Sequence, residues 1–411
     1  ETASDASADP VELSAAPATP ANRLPVLFVH GHNFLDADDS DFNFRANWIE
    51  PLGTLSSFQE TLNAVQNESL GIEPYFIRLQ DQARSIVEDA ADIGDAVSTI
   101  LQRHDPAFDP SDPDSSTHVK VAIVGYSKGT ISTRLYLKSL VETVGGMPPP
   151  VAGYQPVSTF VAIAPPNHGL ATGIAGLSDS LSGKQLNNGY SFPIDRPISG
   201  DRVCMPLDDG VDFIKELNGH DMSDTHADAV PLGSYPAEAP GSRPAGADPG
   251  DGVLYLALYA DGNRDFVGGD DPPGSPGNTV DTDPDCDAIV DSLIDFSPEP
   301  TQQGRVLARN LAPDAVNRPI ASIGGDGSTE VHQNTVHNGD VICQALHAVV
   351  HAQPAPTETD ACTIDENGVP TIPPPPRAAA VLALDMSGSM GWPACNDATC
   401  ADKIDILNDA V

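Results

Sequence analysis

The chain has 411 residues, of which 40% are apolar, so it is long enough to bury a large core and to form two or three domains. Its formal net charge is −39, from 59 acidic and 20 basic side chains. A surface this acidic repels nucleic acid and anionic membranes, and we therefore exclude nucleic-acid binding. The sequence contains no apolar run of about 18 residues, so we predict no transmembrane segment.

The leader and the cysteines indicate an exported protein. Residues 1–22 are rich in Ala, Ser, Asp and Pro and contain no apolar block, which predicts a disordered leader. The six cysteines are an even number and form no Cys-x-x-Cys pair, which suits structural disulfides. Several pairings are compatible with the sequence, and Cys395 with Cys400, which would close a small loop, is the pair we predict. We expect the protein to be secreted or at the cell surface.

Short apolar runs alternate with segments whose apolar residues recur at helical spacing. The predicted strands are residues 24–29, 74–77, 121–124, 157–163, 252–259 and 320–323. The predicted helices are residues 44–67, 85–101, 130–141, 210–218 and 340–351. This alternation indicates an α/β fold with a mostly parallel, doubly wound sheet. Residues 170–250 are rich in Gly, Ser, Asp and Pro, which predicts a loop-rich insertion above the sheet.

A candidate nucleophile lies between the third predicted strand and the third predicted helix. The residues there are Gly125-Tyr126-Ser127-Lys128-Gly129. A G-x-S-x-G motif in this context places its serine on a sharp turn above the sheet, with the hydroxyl exposed to substrate. We therefore predict Ser127 as the nucleophile. The backbone amide of Lys128, the residue after it, is predicted to donate to the oxyanion.

The first predicted strand ends at His30-Gly31-His32. Such a loop supplies the second oxyanion donor in hydrolases of this kind, because glycine lets the backbone approach the reacting atoms closely. We predict the amide of His32 as that donor. The side chain of His30 is predicted only to brace the loop.

The acid and the base of a catalytic triad each have two candidate residues. Asp261 and Asp265 follow the predicted strand 252–259, and His332 and His337 precede the last predicted helix. The order Ser, Asp, His along the chain is the order found in α/β-hydrolases. A base must reach the serine and be held in one tautomer by the carboxylate, and the sequence does not decide which residues do so. The acidic residues of 270–287 fit no calcium-loop spacing, so we predict a solvated loop there.

Residues 24–350 resemble the compact secreted bacterial lipases of the α/β-hydrolase fold. The segments that carry the resemblance are 25–31, 125–129, 164–169, 213–218 and 253–259. It implies a lipase-like domain over residues 23–352, an ester or lipid substrate and no cofactor for catalysis. The sequence does not distinguish among lipid, short-chain ester and polyester substrates. Peptide or thioester hydrolysis is a weaker alternative. The sequence departs from these lipases at Lys128, where they usually carry Met or Gln.

The resemblance also ranks the triad candidates. In these lipases the catalytic histidine commonly stands nine residues before a valine of the last helix. His332 stands nine residues before Val341, which favours it over His337. The family's acid precedes a short apolar pair that ends in valine. That pattern favours Asp265, which precedes Phe266-Val267, over Asp261.

The C-terminal residues predict a second module. Proline-rich residues 353–376 are typical of a linker. Residues 377–411 then resemble the start of a von Willebrand factor A domain, with a buried strand followed by Asp385-Met386-Ser387-Gly388-Ser389. The resemblance implies a truncated domain in which Asp385, Ser387 and Ser389 offer oxygen ligands to Mg²⁺ at an incomplete site. It also implies a protein partner for the complete domain. The alternative function is therefore a catalytically silent adhesion or binding protein of the cell surface that uses this metal site.

Overall fold

All described residues belong to the first of the two compact units into which the chain divides, residues 1–374. The computed structural model describes residues 11–12, 23–31, 45–53, 55–64, 70–79, 84–105, 108–109, 119–142, 155–167, 170–172, 181–191, 205–206, 212–218, 236–244, 247, 251–261, 294–295, 310, 312–320, 335–356, 362–364 and 370–371.

One sheet of eight strands forms the centre of the fold, and its strands run parallel except β1 at one edge. The strands in chain order are β1 (Val11–Glu12), β2 (Leu24–Val29), β3 (Ile72–Ile77), β4 (Val121–Tyr126), β5 (Val157–Ile163), β6 (Leu170–Thr172), β7 (Asn187–Ser191), β8 (Met205–Pro206), β9 (Leu254–Asp261), β10 (Ile294–Asp295), β11 (Val316–Ile320), β12 (Thr363–Ile364) and β13 (Pro370–Thr371). The order across the large sheet is β1-β3-β2-β4-β5-β9-β10, and β11 pairs with β9 as well.

The helices flank this sheet and cover its apolar strands. They are α1 (Phe58–Ala64), α2 (Ile86–His104), α3 (Lys128–Val141), α4 (Leu181–Leu186), α5 (Asp212–Asn218) and α6 (Gly339–His351). All six residues of β4 are buried, as expected for a central parallel strand that is covered on both faces. The prediction of an α/β fold with a mostly parallel sheet is confirmed. Among the described helices, none is both long and apolar enough to cross a bilayer.

Side-chain caps fix the starts of the two helices that were predicted best. At α2, Ser85 and Glu88 form a capping box. The Ser85 side chain accepts the backbone amide of Glu88, and the Glu88 side chain accepts that of Ser85. At α6, the side chain of Asn338 accepts the amides of Asp340 and Val341. Both helices begin within a residue of where the sequence predicts.

The prediction of a single helix over residues 44–67 is wrong. The chain forms a short π-helical turn at Arg45–Ile49, then a turn closed by a bridge between Leu52 and Leu55, and only then α1. Pro51 has no amide to donate, and Gly53 has φ +60°, so the helix cannot continue through this segment.

Three other segments are more ordered than their composition predicts. In the predicted leader, β1 pairs antiparallel with the end of β3. In the predicted insertion, β6, β7 and β8 form a small three-stranded sheet. In the predicted linker, β12 and β13 form an antiparallel pair. The last predicted strand, residues 320–323, is found four residues earlier as β11. The boundaries of the predicted domains otherwise stay predictions.

A disulfide between Cys343 and Cys362 attaches the segment after α6 to the domain. Cys343 lies in α6, and the two Cα atoms are 5.5 Å apart. The Arg318 guanidinium also donates to the Ala355 carbonyl at 2.6 Å. This segment is therefore packed on the domain rather than a free linker. The predicted pair Cys395 and Cys400 lies outside the described residues.

We expect the Cys343–Cys362 disulfide to stabilise the domain by about 3 kcal/mol, because it closes a loop of intermediate length. The double variant Cys343→Ala/Cys362→Ala should lose that amount in urea unfolding under non-reducing conditions. Comparing wild type and variant with and without dithiothreitol separates this bond from the other cysteines. Equal stability of the two proteins without reductant would contradict the assignment.

Candidate active site

The carboxyl ends of four neighbouring strands meet at one edge of the sheet. Val29 of β2 pairs with Gly125 of β4, and Tyr126 of β4 pairs with Ile163 of β5. The next strand, β9, continues the same parallel set. The residues that follow these strands therefore lie along one edge, where α/β folds place their ligands. Ser127 follows the central strand of this group.

Ser127 has a backbone conformation that is unusual for any residue except glycine. Its φ is 51° and its ψ is −127°, which costs about 1–3 kcal/mol for a residue with a side chain. The surrounding backbone holds it there. Its amide donates to the Ile163 carbonyl at 3.0 Å, and its carbonyl accepts the amide of Thr130 at 2.9 Å. The Ser127 hydroxyl does not cap the amides of α3, of which Ser127 is the N-cap residue.

The glycines of the motif are required by close backbone contacts. A Cβ atom at Gly129 would lie 2.5 Å from the His30 carbonyl oxygen and 2.7 Å from that of Val29. A Cβ atom at Gly31 would lie 2.6 Å from the Ser127 Cβ. The start of α3 thus packs directly on the end of β2, with no room for a side chain between them. This contact brings the loop after β2 next to Ser127.

The side chain of His30 braces this loop, as predicted. Its Nδ1 donates to the Gly31 carbonyl at 2.8 Å, and its Nε2 accepts the Leu79 amide at 3.0 Å. This pattern requires a neutral ring with the proton on Nδ1. Because both nitrogens are engaged in the fold, the ring holds the loop and is not placed as a base.

The π-helical turn 45–49 holds three parts of the site. The Asn47 side chain accepts the Gly31 amide at 3.1 Å, and the Trp48 ring meets the Tyr126 ring edge-on at 6.5 Å. The carbonyl of Ala46 accepts a hydrogen bond from His337 Nε2 at 2.8 Å. The Gly31 amide is therefore occupied, and His32, the predicted donor of this loop, lies outside the described residues.

Of the two histidine candidates, only His337 is described. Its ring is almost completely buried, and its Nδ1 has no hydrogen-bond partner. Burial lowers the pKa of His337, although the hydrogen bond to Ala46 opposes this. Because a carbonyl oxygen only accepts, the His337 Nε2 carries a hydrogen and donates it to Ala46. His332 lies outside the described residues.

The acid and metal candidates are described only in part. Asp261 is the last residue of β9 and pairs in register with Asp295 of β10. Asp265 lies outside the described residues, and the choice between the two stays open. The predicted Mg²⁺ ligands are also outside them: Asp385, Ser387 and Ser389. Within the described part of the chain, no group of three or more His, Cys, Asp or Glu side chains is arranged to hold a metal.

The side chain of Lys128 forms a buried ion pair that the sequence analysis missed. Its Nζ lies 2.9 Å from Asp89 Oδ2, and both side chains are at most 2% exposed. Burial raises the pKa of Asp89, while Lys128 pulls it back down. A signal was present in α2, because Asp89 stands three residues after Ile86 and four before Ile93, on the apolar stripe.

A second buried charge, Arg134 of α3, holds the loops around the site. Its guanidinium donates to the Asn167 carbonyl and side-chain oxygens at 3.2 and 3.1 Å, and to the Asn218 side chain at 2.7 Å. It also donates to the Glu238 carbonyl at 3.1 Å. Burial lowers the pKa of Arg134 below its usual range. Asn167 and Asn218 belong to the lipase-like segments 164–169 and 213–218, so one cation fixes both.

Comparisons with solved structures return lipases and esterases at low identity. A lipase from Aspergillus fumigatus is 14% identical, with a TM-score of 0.41, and covers 84% of this chain and 57% of its own. A phospholipase from Legionella pneumophila is 17% identical, with a TM-score of 0.27, and the match covers 41% of this chain and 33% of the phospholipase. A thermophilic carboxylesterase cloned from a metagenomic library is 12% identical, with a TM-score of 0.30, and covers 80% of each chain.

This chain thus spans less than two thirds of the length of the first two of these proteins. No protein-family model matches the chain, and no curated protein matches it. The resemblance to compact secreted bacterial lipases therefore stays a prediction.

We expect Gly129→Ala to lower the free energy of unfolding by about 3 kcal/mol. The added methyl group would clash with the carbonyls of Val29 and His30, so the backbone of β2 or α3 would have to shift. Gly53→Ala is the matched control. Gly53 also has a positive φ, of +60°, but its Cβ would have no atom within 4 Å. The control should lose only about 1 kcal/mol. Equal losses in urea unfolding would contradict the close packing of α3 on β2.

We expect the buried His337 to make the domain less stable in mild acid. Its pKa is lowered in the folded state, so the unfolded chain takes up the proton first. Stability is therefore complete above about pH 6.5 and falls as the pH drops toward the folded-state pKa. His337→Gln keeps a donor for the Ala46 carbonyl but cannot titrate. Thermal unfolding midpoints from pH 8 to 5 should fall less in this variant, and parallel curves would contradict the expectation.

Proposed function

We propose that the chain is a serine hydrolase that cleaves carboxylic esters through a Ser-His-Asp triad and an acyl-enzyme. The observation that carries the proposal is the backbone of Ser127. A strained serine stands between a buried central strand and a helix, and two glycines pack around it without space for a methyl group. This is the geometry that projects a nucleophilic hydroxyl above the sheet.

In the proposed reaction, Ser127 Oγ attacks the ester carbonyl carbon while His332 takes its proton. Asp265 orients the imidazole, and the amides of His32 and Lys128 donate to the oxyanion. Lys128 is the first residue of α3, and the first amides of a helix lack intrahelical acceptors. His332 then protonates the leaving alcohol, and water releases the acid from Ser127. One oxyanion donor contributes about 10²–10³ to turnover.

Two observations support the choice of base and acid. The Nε2 of His337 is bonded to the Ala46 carbonyl, and His337 is thereby tied into the fold. His332 comes after β11 in the sequence, and β11 pairs in parallel with β9. Asp261 is the last residue of β9, whereas Asp265 stands four residues later in the sequence. His332 and Asp265 therefore stay the proposed pair.

We further propose that the protein is secreted or held at the cell surface and that its substrate is a lipid or another ester, including polyesters. The disulfide between Cys343 and Cys362 supports export, because such bonds persist in oxidising compartments. No cofactor is part of the proposed reaction. The metal site at Asp385, Ser387 and Ser389, and a protein partner for the domain that contains it, stay predictions.

We expect Ser127→Ala to reduce p-nitrophenyl butyrate hydrolysis by about 10³-fold or more, because the acyl-enzyme can no longer form. Circular dichroism should show that the variant is folded. The matched control is Ser139→Ala on the same helix, where the hydroxyl only donates to the Tyr136 carbonyl at 2.7 Å.

The control should keep wild-type turnover. If Ser127→Ala keeps full activity, the hydrolysis does not use this serine and the proposal is wrong. If the wild-type protein hydrolyses neither short nor long p-nitrophenyl esters, the catalytically silent alternative is favoured instead.

A further inference from the structure

Two charged side chains are buried directly behind the nucleophile turn, and the reaction proposed above does not use them. Lys128 follows Ser127 in the chain, and Asp89 lies in the first turn of α2. The side chain of Asp89 is completely buried, and that of Lys128 is nearly so. Replacing a buried ion pair by apolar groups of similar size is often neutral for stability or even stabilising. Stability alone therefore does not account for two charges at this position.

The position of Lys128 is itself unfavourable for a cation. As the first residue of α3 it stands at the positive end of the helix dipole, where negative groups are preferred. The carboxylate of Asp89 compensates, because its Oδ2 lies 2.9 Å from Lys128 Nζ. Asp89 in turn stands near the start of α2, where the dipole of that helix favours an anion. The two helix starts are thus joined by one pair of opposite charges.

The same carboxylate oxygen contacts the next turn of α3. Ser132 Oγ donates to Asp89 Oδ2 at 3.3 Å, and it also lies 3.3 Å from the Lys128 carbonyl. The other oxygen, Oδ1, has no hydrogen-bond partner. The side-chain contacts of Asp89 with Lys128 and Ser132 are therefore directed at two residues of α3 that are one helical turn apart. This fixes the rotation and height of the first turn of α3 relative to α2.

The first turn of α3 also packs closely on β2, because Gly129 lies against the carbonyls of Val29 and His30. Contacts to α2 and to β2 therefore both restrain this turn. Resting on the proposed function, we propose that Asp89 is a positioning residue for ester hydrolysis. Through its buried ion pair with Lys128, it holds Ser127 and the Lys128 amide in the geometry that the oxyanion requires.

The test uses three variants of the full chain: Asp89→Asn, Lys128→Met and the double variant. Turnover of p-nitrophenyl butyrate is measured at a temperature well below every unfolding midpoint. The concentration of competent sites is taken from the fluorophosphonate that each variant incorporates. Dividing by this concentration removes losses that come only from unfolded protein.

If the pair positions the turn as a unit, each of the three variants loses about 10- to 100-fold in kcat per labelled site. KM should stay within about threefold, because the substrate pocket is unchanged. The loss in the double variant should equal that of the single variants, since residues that act as a unit are not additive. A merely structural role would lower the unfolding midpoint and leave kcat per labelled site unchanged.

Asp92→Asn is the matched control, because it makes the same change one turn further along α2. Asp92 pairs with Arg84 at 2.6 Å, and both side chains are about one fifth exposed. This variant should keep wild-type kcat and KM. It shows whether the loss of one carboxylate from α2 has a general effect.

Wild-type kcat per site in Asp89→Asn would overturn the inference while leaving the proposed function intact. Losses that add up in the double variant would also overturn it, because Asp89 would then act independently of Lys128. If Asp89→Asn does not fold, the double variant carries the same test, since it leaves neither charge buried without its partner. If the wild-type protein shows no activity that depends on Ser127, the proposed function and this inference both fail.

Discussion

The whole site depends on one close contact between backbone segments. The start of α3 approaches the end of β2 so closely that Gly129 has carbonyl oxygens within 3 Å of where its Cβ would be. That approach requires the chain to turn sharply after β4, and Ser127 takes the strained conformation at the turn. Ser127 consequently lies at the edge where the parallel strands end. Strain at such a position persists only because the surrounding hydrogen bonds over-determine it.

Buried charged side chains also join α3 to its neighbouring elements at two positions. The ion pair of Asp89 and Lys128 ties the first turn of α3 to α2. Further along the same helix, Arg134 reaches in another direction and ties α3 to the loop after β5 and to α5. Helix α3 is therefore held by charge-assisted hydrogen bonds as well as by apolar packing, and these are the stronger class of hydrogen bond.

Sequence reasoning identified the elements whose pattern is local. The strand 157–163 and the helix after Asn338 follow directly from apolar periodicity and capping residues. The prediction of one helix over residues 44–67 was wrong because the apolar spacing continues past Pro51, whereas the helix cannot. The small sheet β6-β7-β8 was missed because its strands are only two to five residues long. Pairing between strands that are distant in sequence leaves no periodic signal in a single strand.

The local structure around Ser127 was predictable where it lies in contiguous motifs. The turn between β4 and α3 and the bracing role of His30 follow from motif and context. The partner of Lys128 could not be found in that way, because it is 39 positions away on another helix. A charged residue on the apolar stripe of α2 was the signal that something buried had to neutralise it. Only the packing of α2 against α3 shows which residue does so.

We propose that the strained Ser127 is an activated nucleophile, and covalent trapping is the direct test of this proposal. The wild-type protein is treated with a fluorophosphonate, digested and sequenced by tandem mass spectrometry. We expect a single adduct, located on Ser127, in the peptide that contains Gly125-Tyr126-Ser127. No adduct under conditions that label a known serine hydrolase, or an adduct on another residue, would contradict it.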